Sequence, residues 1–178
     1  MRFLQWIGVG FGFLFGGCLL STEELFSTAE GDTLPINSIV TCVYSTAGGP
    51  YEKRYQVERV VRGEKSQYRF KDGFLNRSFL VAFHKINDTT WISVASQTTT
   101  VGSTLSGYLY RFTRPNADGK FEIISHGASV RSRLAALHDV GFEKRGAETL
   151  VGDSANQKRF LMVLAAEPGD IAEICTSN

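Results

Sequence analysis

The 178-residue sequence is poor in proline and cysteine and has almost no excess of either charge. It contains 4 Pro, 3 Cys and 18 Gly, which excludes a collagen-like repeat and a disulfide-dense small scaffold. The 19 Lys and Arg against 18 Asp and Glu give a net charge of +1, so no overall field attracts nucleic acid. With 43% hydrophobic residues, the chain is typical of a globular protein with a substantial core. The composition therefore predicts one globular domain and names no partner.

Catalytic and metal-binding motifs are also missing. The three histidines, His84, His126 and His138, occur singly, and no cysteine pair has the spacing of a zinc site. The sequence contains neither a G-x-S-x-G elbow nor a phosphate-binding loop. The Gly-Asp-Ser motif that ends at Ser154 is interpreted as a helix N-cap, because all three histidines precede it and few residues follow. We therefore predict no catalytic residues, no metal ligands and no cofactor.

The N-terminus has the layout of an export signal. Residues 3–20 are almost wholly apolar or glycine, and Arg2 is the only charged residue before Glu23. Within this run, Leu14-Phe15-Gly16-Gly17-Cys18 resembles the lipobox of bacterial lipoproteins, in which the signal is cut before a cysteine that receives diacylglycerol. The resemblance implies a signal peptide over 1–17 and an acylated Cys18. It also implies a lipid-anchored location in the bacterial cell envelope, facing the periplasm or the exterior.

Two alternatives stay open for the same segment. The apolar run is just long enough to span a bilayer, so it could remain as a single N-terminal transmembrane anchor. Ser27-Thr28-Ala29 also offers small residues at which a signal peptidase could release an ordinary secreted protein.

The cysteine count fits the lipoprotein interpretation. If Cys18 carries lipid, Cys42 and Cys175 remain, and an even pair is typical of an oxidising compartment. We predict a disulfide between them, which closes a loop of 133 positions between the first predicted strand and the chain end. The alternative is a pair of buried thiols.

Residues 18–35 and residues 36–178 differ in character. The first segment is polar and acidic, ends at Pro35 and predicts a flexible tether that follows the lipidated cysteine. The second predicts a single globular domain, in which β-branched and aromatic runs alternate with turn residues. These runs predict seven strands, near 37–46, 51–61, 66–71, 75–86, 90–96, 106–113 and 120–125.

The last third of the chain predicts two helices. One lies within residues 129–140 and stops at Gly141. The other begins at Asp153 or Ser154 and ends before Pro168-Gly169, although a hairpin at that dipeptide would instead make 160–166 a strand. A short last strand is predicted over 171–175. The fold class is therefore α+β, a mainly antiparallel and strongly twisted sheet packed by two C-terminal helices.

Two features of the predicted sheet suggest ligands. Alternation places Tyr108, Tyr110 and Phe112 on one face of their strand, with Arg111 pointing away, so these aromatics are candidates to face a ligand. Residues 51–85 carry nine basic against four acidic side chains, a solvated face that suits anionic lipid or glycan better than nucleic acid.

Together these features favour a non-enzymatic binding or structural module, lipid-anchored in the envelope. Its expected partners are the membrane, reached through the N-terminal lipid, and a further envelope protein, lipid or glycan, but no nucleic acid. A carrier with a hydrophobic ligand in a sheet-lined cavity is the first alternative. A hydrolase of unrecognised type is the second, and it would bring a histidine to a serine or aspartate in a cleft.

Overall fold

A computed structural model describes residues 18–46, 49–72, 77–97, 107–116, 119–145 and 147–178. Eleven strands form one sheet, and two helices pack on it. The strands are β1 (Leu19–Ser21), β2 (Ile39–Thr46), β3 (Gly49–Arg62), β4 (Lys65–Asp72), β5 (Arg77–Lys85), β6 (Trp91–Gln97), β7 (Gly107–Pro115), β8 (Lys120–Ser125), β9 (Gly141–Arg145), β10 (Ala147–Val151) and β11 (Asp170–Ser177). The helices are α1 (Ala128–Leu137) and α2 (Ser154–Ala166).

Eight of the strands close into a barrel. Strands β2 to β8 pair in sequence order, and β11 returns after the helices to pair with β8 on one side and β2 on the other. All of these pairings are antiparallel. The mainly antiparallel sheet and the two helices are confirmed. The prediction of a twisted sheet of about seven strands is corrected, because the structure has a closed barrel of eight strands and three further strands outside it. Closure occurs because β11 supplies hydrogen bonds to both sheet edges, which would otherwise be left unpaired.

Strand β7 is the branch point of the sheet. One of its edges pairs with β6 from Gly107 to Thr113. The other edge is divided between two neighbours, since 108–110 pair with β1 and 112–115 pair with β8. Arg111 lies between these two pairings. The short strand β1 then leads outward to β10, with which it pairs in parallel, and to β9.

The predicted tether is not a tether in the structure. Leu19, Leu25, Phe26 and Leu34 are all at most 8% exposed, and Leu19–Ser21 forms β1. The acidic residues between these positions dominate the composition, but the apolar side chains bury enough surface to hold the segment on the barrel. Residues 19–34 therefore pack on the barrel instead of leaving it as a free linker. Residues 14–17 of the lipobox lie outside the described residues.

The sheet has a buried core on each face. The core inside the barrel, here called the lumen, is lined by Leu34, Val40, Cys42, Tyr44, Tyr55, Val57, Tyr68, Phe70, Val81, Phe83, Phe121, Ile123 and Cys175. The outer core lies between the sheet and the helices and includes Leu19, Ile92, Val94, Tyr110, Phe112, Ile124, Leu134, Leu150, Phe160, Leu161 and Leu164. Side chains alternate between the two cores along β5, β6, β7 and β8, whereas outward-facing residues of the other barrel strands, such as Val43 and Ile174, are exposed.

Helix α2 supplies much of the outer core. It begins after Asp153, whose side chain accepts hydrogen bonds from the backbone N–H groups of Ala155 and Asn156. Phe160, Leu161 and Leu164 are fully buried against the sheet. The helical interpretation of this segment is thus confirmed over the alternative strand. Among the described residues, neither helix has the length and apolar character needed to span a bilayer.

Candidate functional site

One end of the barrel is closed by residues 31–36, here called the strap. Leu34 is 4% exposed and inserts into the lumen core. The Tyr68 hydroxyl donates to the Leu34 carbonyl (2.7 Å) and accepts from its N–H (2.9 Å). Gly31 permits close passage over β5, because a Cβ there would lie 2.6 Å from the Phe83 nitrogen. This strap end of the lumen is therefore apolar and filled, and its buried Tyr68 hydroxyl is hydrogen-bonded.

The opposite half of the lumen contains charge. Lys53 Nζ lies 2.8 Å from an Asp72 carboxylate oxygen, and their side chains are 13% and 5% exposed. The ammonium group also lies 5.3 Å from the centre of the Tyr55 ring. Burial alone would lower the pKa of Lys53, but its hydrogen bond to Asp72 and its interaction with Tyr55 outweigh that effect and raise it. Lys53 is therefore held as a cation in this half of the barrel.

A second ion pair, Arg111 with Glu173, lies in the lumen beside the branch point of β7. The Arg111 guanidinium contacts the Glu173 carboxylate, and their side chains are 22% and 4% exposed. Glu173 Oε2 and two nitrogens of Arg111, Nε and Nη2, are buried and form no hydrogen bond of ordinary geometry among the described residues. Thr113 Oγ1, two residues along the same face of β7, is likewise buried and unpartnered among them. Unsatisfied polar atoms of this kind are uncommon in native proteins, and each costs about 1–3 kcal/mol.

Tyrosine hydroxyls surround these ion pairs. The hydroxyl oxygens of Tyr44 and Tyr55 are 3.1 Å apart, and Tyr44 is the register partner of Glu173 across β2 and β11. Burial, and then the neighbouring Tyr55, raise the pKa of Tyr44 well above its usual range. Both hydroxyls can donate or accept a hydrogen bond. This half of the lumen thus combines aromatic surface with neutral and charged hydrogen-bonding groups.

The predicted disulfide joins the wall beside this pair. Cys42 and Cys175 face each other on β2 and β11 and are bonded, which confirms the predicted bridge. Their sulfur atoms and a Glu173 oxygen lie within 4.8 Å of one another. Because the two sulfurs are bonded to each other, neither supplies the thiolate that a metal ion would require.

Cys18, the predicted lipid attachment residue, lies at the branch point itself. It directly precedes β1, and the β1–β7 register brings it alongside Arg111. The side chain is 4% exposed. Burial raises the pKa of the Cys18 thiol, while the charge of Arg111 acts in the opposite direction.

The candidate aromatics on β7 do not face the lumen. Tyr110 and Phe112 are at most 1% exposed in the outer core, and Tyr108 packs at its margin. The Tyr110 hydroxyl donates to the Glu23 carbonyl (3.0 Å) and accepts from the Leu25 N–H (2.8 Å), so it fastens the N-terminal segment. The helices cover the outer face of β7, and Arg111 therefore points into the barrel rather than into solvent.

The histidines do not form a cluster. His84 Nε2 lies 2.8 Å from the Ser27 carbonyl oxygen, and its ring packs 5.4 Å from Phe26. His126 Nε2 lies 3.2 Å from the Glu167 carbonyl oxygen, and its ring meets Phe112 edge to face. His138 follows α1. The hydrogen-bond partners of the His84 and His126 rings are backbone carbonyls, which suit structural roles.

Comparison of the chain with protein-family models, curated proteins and solved structures found no match. The site is therefore interpreted from its own geometry. Sequence reasoning missed Arg111 and Glu173 because a charged residue on an alternating strand is ordinarily assigned to solvent. One sequence signal could have indicated a lumen position. It is a charged residue whose neighbours on both adjacent strands are small or aromatic.

Proposed function

We propose that this protein is a non-enzymatic binding protein whose barrel takes up a small amphiphilic molecule in the half of the lumen opposite the strap. The observation that carries the proposal is the set of buried polar atoms without a hydrogen-bond partner among the described residues of an aromatic lumen: Thr113 Oγ1, Glu173 Oε2, and Nε and Nη2 of Arg111. A ligand that hydrogen-bonds to these atoms would remove part of their desolvation cost, which gives binding a favourable contribution.

The surroundings suit such a ligand. Small-molecule sites are largely apolar or aromatic with a few polar groups that fix orientation. An eight-stranded barrel has an interior wide enough for side chains or one small ligand. Here the strap half is filled by Leu34, Tyr68 and Phe83, whereas the other half holds both ion pairs.

A lumen-filling variant tests this proposal. Ser93 is 7% exposed, alternates with the outer-core residues Ile92 and Val94, and is the register partner of Arg111. We expect wild-type protein to bind the neutral fluorescent amphiphile N-phenyl-1-naphthylamine saturably, with energy transfer from Trp91. Ser93→Phe should weaken this binding at least about tenfold. Ser78→Phe, at an exposed position of β5, is the matched control and should bind as wild type does.

Circular dichroism and a thermal melt identify folded Ser93→Phe protein. Unchanged affinity in folded Ser93→Phe would place the probe elsewhere and contradict the proposal. If neither wild type nor Ser78→Phe binds saturably, the barrel is a structural module instead.

We further propose that the protein acts in the bacterial envelope, anchored through lipid on Cys18. The lipobox resemblance supports this location, and the Cys42–Cys175 bridge suits an oxidising compartment. Since Cys18 is buried at the branch point, an acyl group there would start at the barrel wall rather than on a flexible tether. Intact mass of the mature protein tests the anchor. Cleavage before Cys18 with added diacylglycerol, lost in Cys18→Ser, is the expected result, and an uncleaved or unacylated N-terminus would contradict it.

A further inference from the structure

Among the described side chains of the polar half of the lumen, the charges of the two ion pairs cancel, and this balance bears on the ligand's head group. Arg111 with Glu173 and Lys53 with Asp72 each contribute one positive and one negative charge. Resting on the proposed function, we propose that the ligand's head group is uncharged and carries one hydrogen-bond donor and one acceptor, as a carboxamide does.

The unpartnered lumen atoms require at least one acceptor and one donor on the ligand, because Arg111 offers donors, Glu173 Oε2 offers an acceptor and the Thr113 hydroxyl can act as either. Arg111 Nε–H can only donate, and an ionised Glu173 Oε2 can only accept. The two side chains are in contact, so their unpartnered hydrogen-bonding atoms lie in one small region of the lumen. An amide oxygen would accept from Nε–H while the amide nitrogen donates to Oε2. A hydrocarbon or aromatic body would then pack on the surrounding tyrosine and phenylalanine rings.

A charged head group would fit worse. A carboxylate could accept from Arg111, but it would lie beside the buried Glu173 carboxylate, and like charges in a low-dielectric site repel strongly. An ammonium group would meet the same problem with the Arg111 guanidinium. In either case the ligand's own desolvation would be offset by no net opposite charge, since the charges of the two described ion pairs sum to zero. The neutral Tyr44 and Tyr55 hydroxyls do not alter this balance.

Competition with three ligands of the same chain length tests the head group. Decanamide, decanoate and decylamine are used to displace N-phenyl-1-naphthylamine from wild-type protein. We expect decanamide to compete at least about tenfold more effectively than either charged ligand, a difference of about 1.4 kcal/mol. Stronger competition by decanoate or decylamine would overturn the inference.

Single substitutions that unbalance the charge should change the preference in opposite directions. Glu173→Gln keeps the side-chain size but leaves Arg111 uncompensated, so decanoate should become the best competitor. Arg111→Met leaves Glu173 uncompensated, so decylamine should become the best competitor. Glu58→Gln and Arg69→Met are the matched controls, because this pair (2.9 Å) has the same chemistry on the exposed outer face of β3 and β4. Both controls should keep the preference for decanamide.

The double variant Arg111→Met with Glu173→Leu protects the test against misfolding. Replacement of both members of a buried pair by apolar residues is commonly neutral or stabilising, so this protein should fold. It should bind the probe but lose the preference for decanamide. A preference that survives in the double variant would overturn the inference. If wild type binds the probe and no decyl ligand displaces it, the head-group inference fails while lumen binding stands. Absence of probe binding overturns the proposed function itself.

Discussion

The two cores on either face of this sheet are built on different principles. In the outer core, apolar side chains fill the space, and the buried polar groups Tyr110 and Gln157 have partners, whereas His126 Nδ1 and Arg131 Nε, at its margin, have none among the described residues. Gln157 accepts from the Ser21 hydroxyl (2.7 Å) and donates to the Gly152 carbonyl (2.8 Å). In the lumen, two ion pairs and several unpartnered atoms are retained. A buried ion pair adds little net stability compared with apolar packing. The difference assigns stability mainly to the outer core, and it leaves the lumen as the place of the binding chemistry that we propose.

The largest expected effect comes from a cavity in the outer core. Phe160 on α2 is fully buried against the sheet, and Phe160→Ala removes its ring from the centre of that core. We expect the free energy of unfolding to fall by about 3–5 kcal/mol, measured by urea denaturation. Met162→Ala on the exposed side of the same helix, at 45% exposure, is the control and should cost far less. Equal losses in the two variants would contradict the role assigned to the outer core.

Removal of the disulfide should lower the free energy of unfolding by less than the cavity does. This variant tests how much the Cys42–Cys175 bridge in the lumen wall contributes to stability. The bridge closes a loop of 133 positions, but β2 and β11 also pair through their backbones from Val40 to Tyr44. We expect the double variant Cys42→Ser with Cys175→Ser to lower the free energy of unfolding by about 2–4 kcal/mol. The main reason is that the unfolded chain gains conformational entropy when the cross-link is removed. Reduction of wild-type protein should reproduce this loss and leave the double variant unchanged. A loss on reduction of the double variant would show that the thiol reagent acts elsewhere.

Several features of the fold could be predicted from local sequence, but closure could not. Strand and helix positions follow from alternation, turn residues and the Asp153 cap, all of which act over a few residues. The cysteine pair even indicated that the last strand meets the first. Whether β11 also pairs with β8 depends on contacts between residues distant in sequence, which no local pattern encodes. Strand β1 was missed because its three residues, at the start of the predicted tether, are too few to show a periodicity.

The candidate site was missed for a related reason. Tyr68 and Tyr110 lie on strands with the same alternation, yet Tyr68 faces the lumen and Tyr110 faces the outer core. Alternation shows which residues share a face but not which face is the barrel interior. Once α1 and α2 cover β7 from outside, its aromatic face is outer and its charged face is inner. Arg111 therefore became a lumen residue only through the tertiary arrangement.

The smallest predicted effect is a pH dependence at the margin of the outer core. His126 packs on Phe112, and its Nδ1 is buried without a partner among the described residues. Burial lowers the pKa of His126 from its ordinary value of 6.5. The carbonyl of Glu167 acts in the opposite direction, and the charges of Arg114 and Arg131 add to the lowering. The unfolded chain therefore binds a proton at a pH where the folded chain does not. Stability attributable to this group is complete above the unfolded pKa and is lost as the pH falls through the folded pKa.

Comparison of wild type with His126→Gln isolates the contribution of His126 to the pH dependence of stability. The carboxylates, which also titrate on acidification, are the same in both proteins. The free energy of unfolding is measured at about pH 7.5 and about pH 5.5, and the loss on acidification should be smaller in the variant. Its single proton limits the difference in slope to about 1.4 kcal/mol per pH unit. Probe binding in the lumen should be the same in the two proteins at the higher pH, since His126 lies on the other face of the sheet. A steeper acid loss in the variant would mean that the protonated imidazole is stabilised in the folded state. The margin of the outer core would then hold a stabilised imidazolium in addition to the Arg131–Glu148 ion pair.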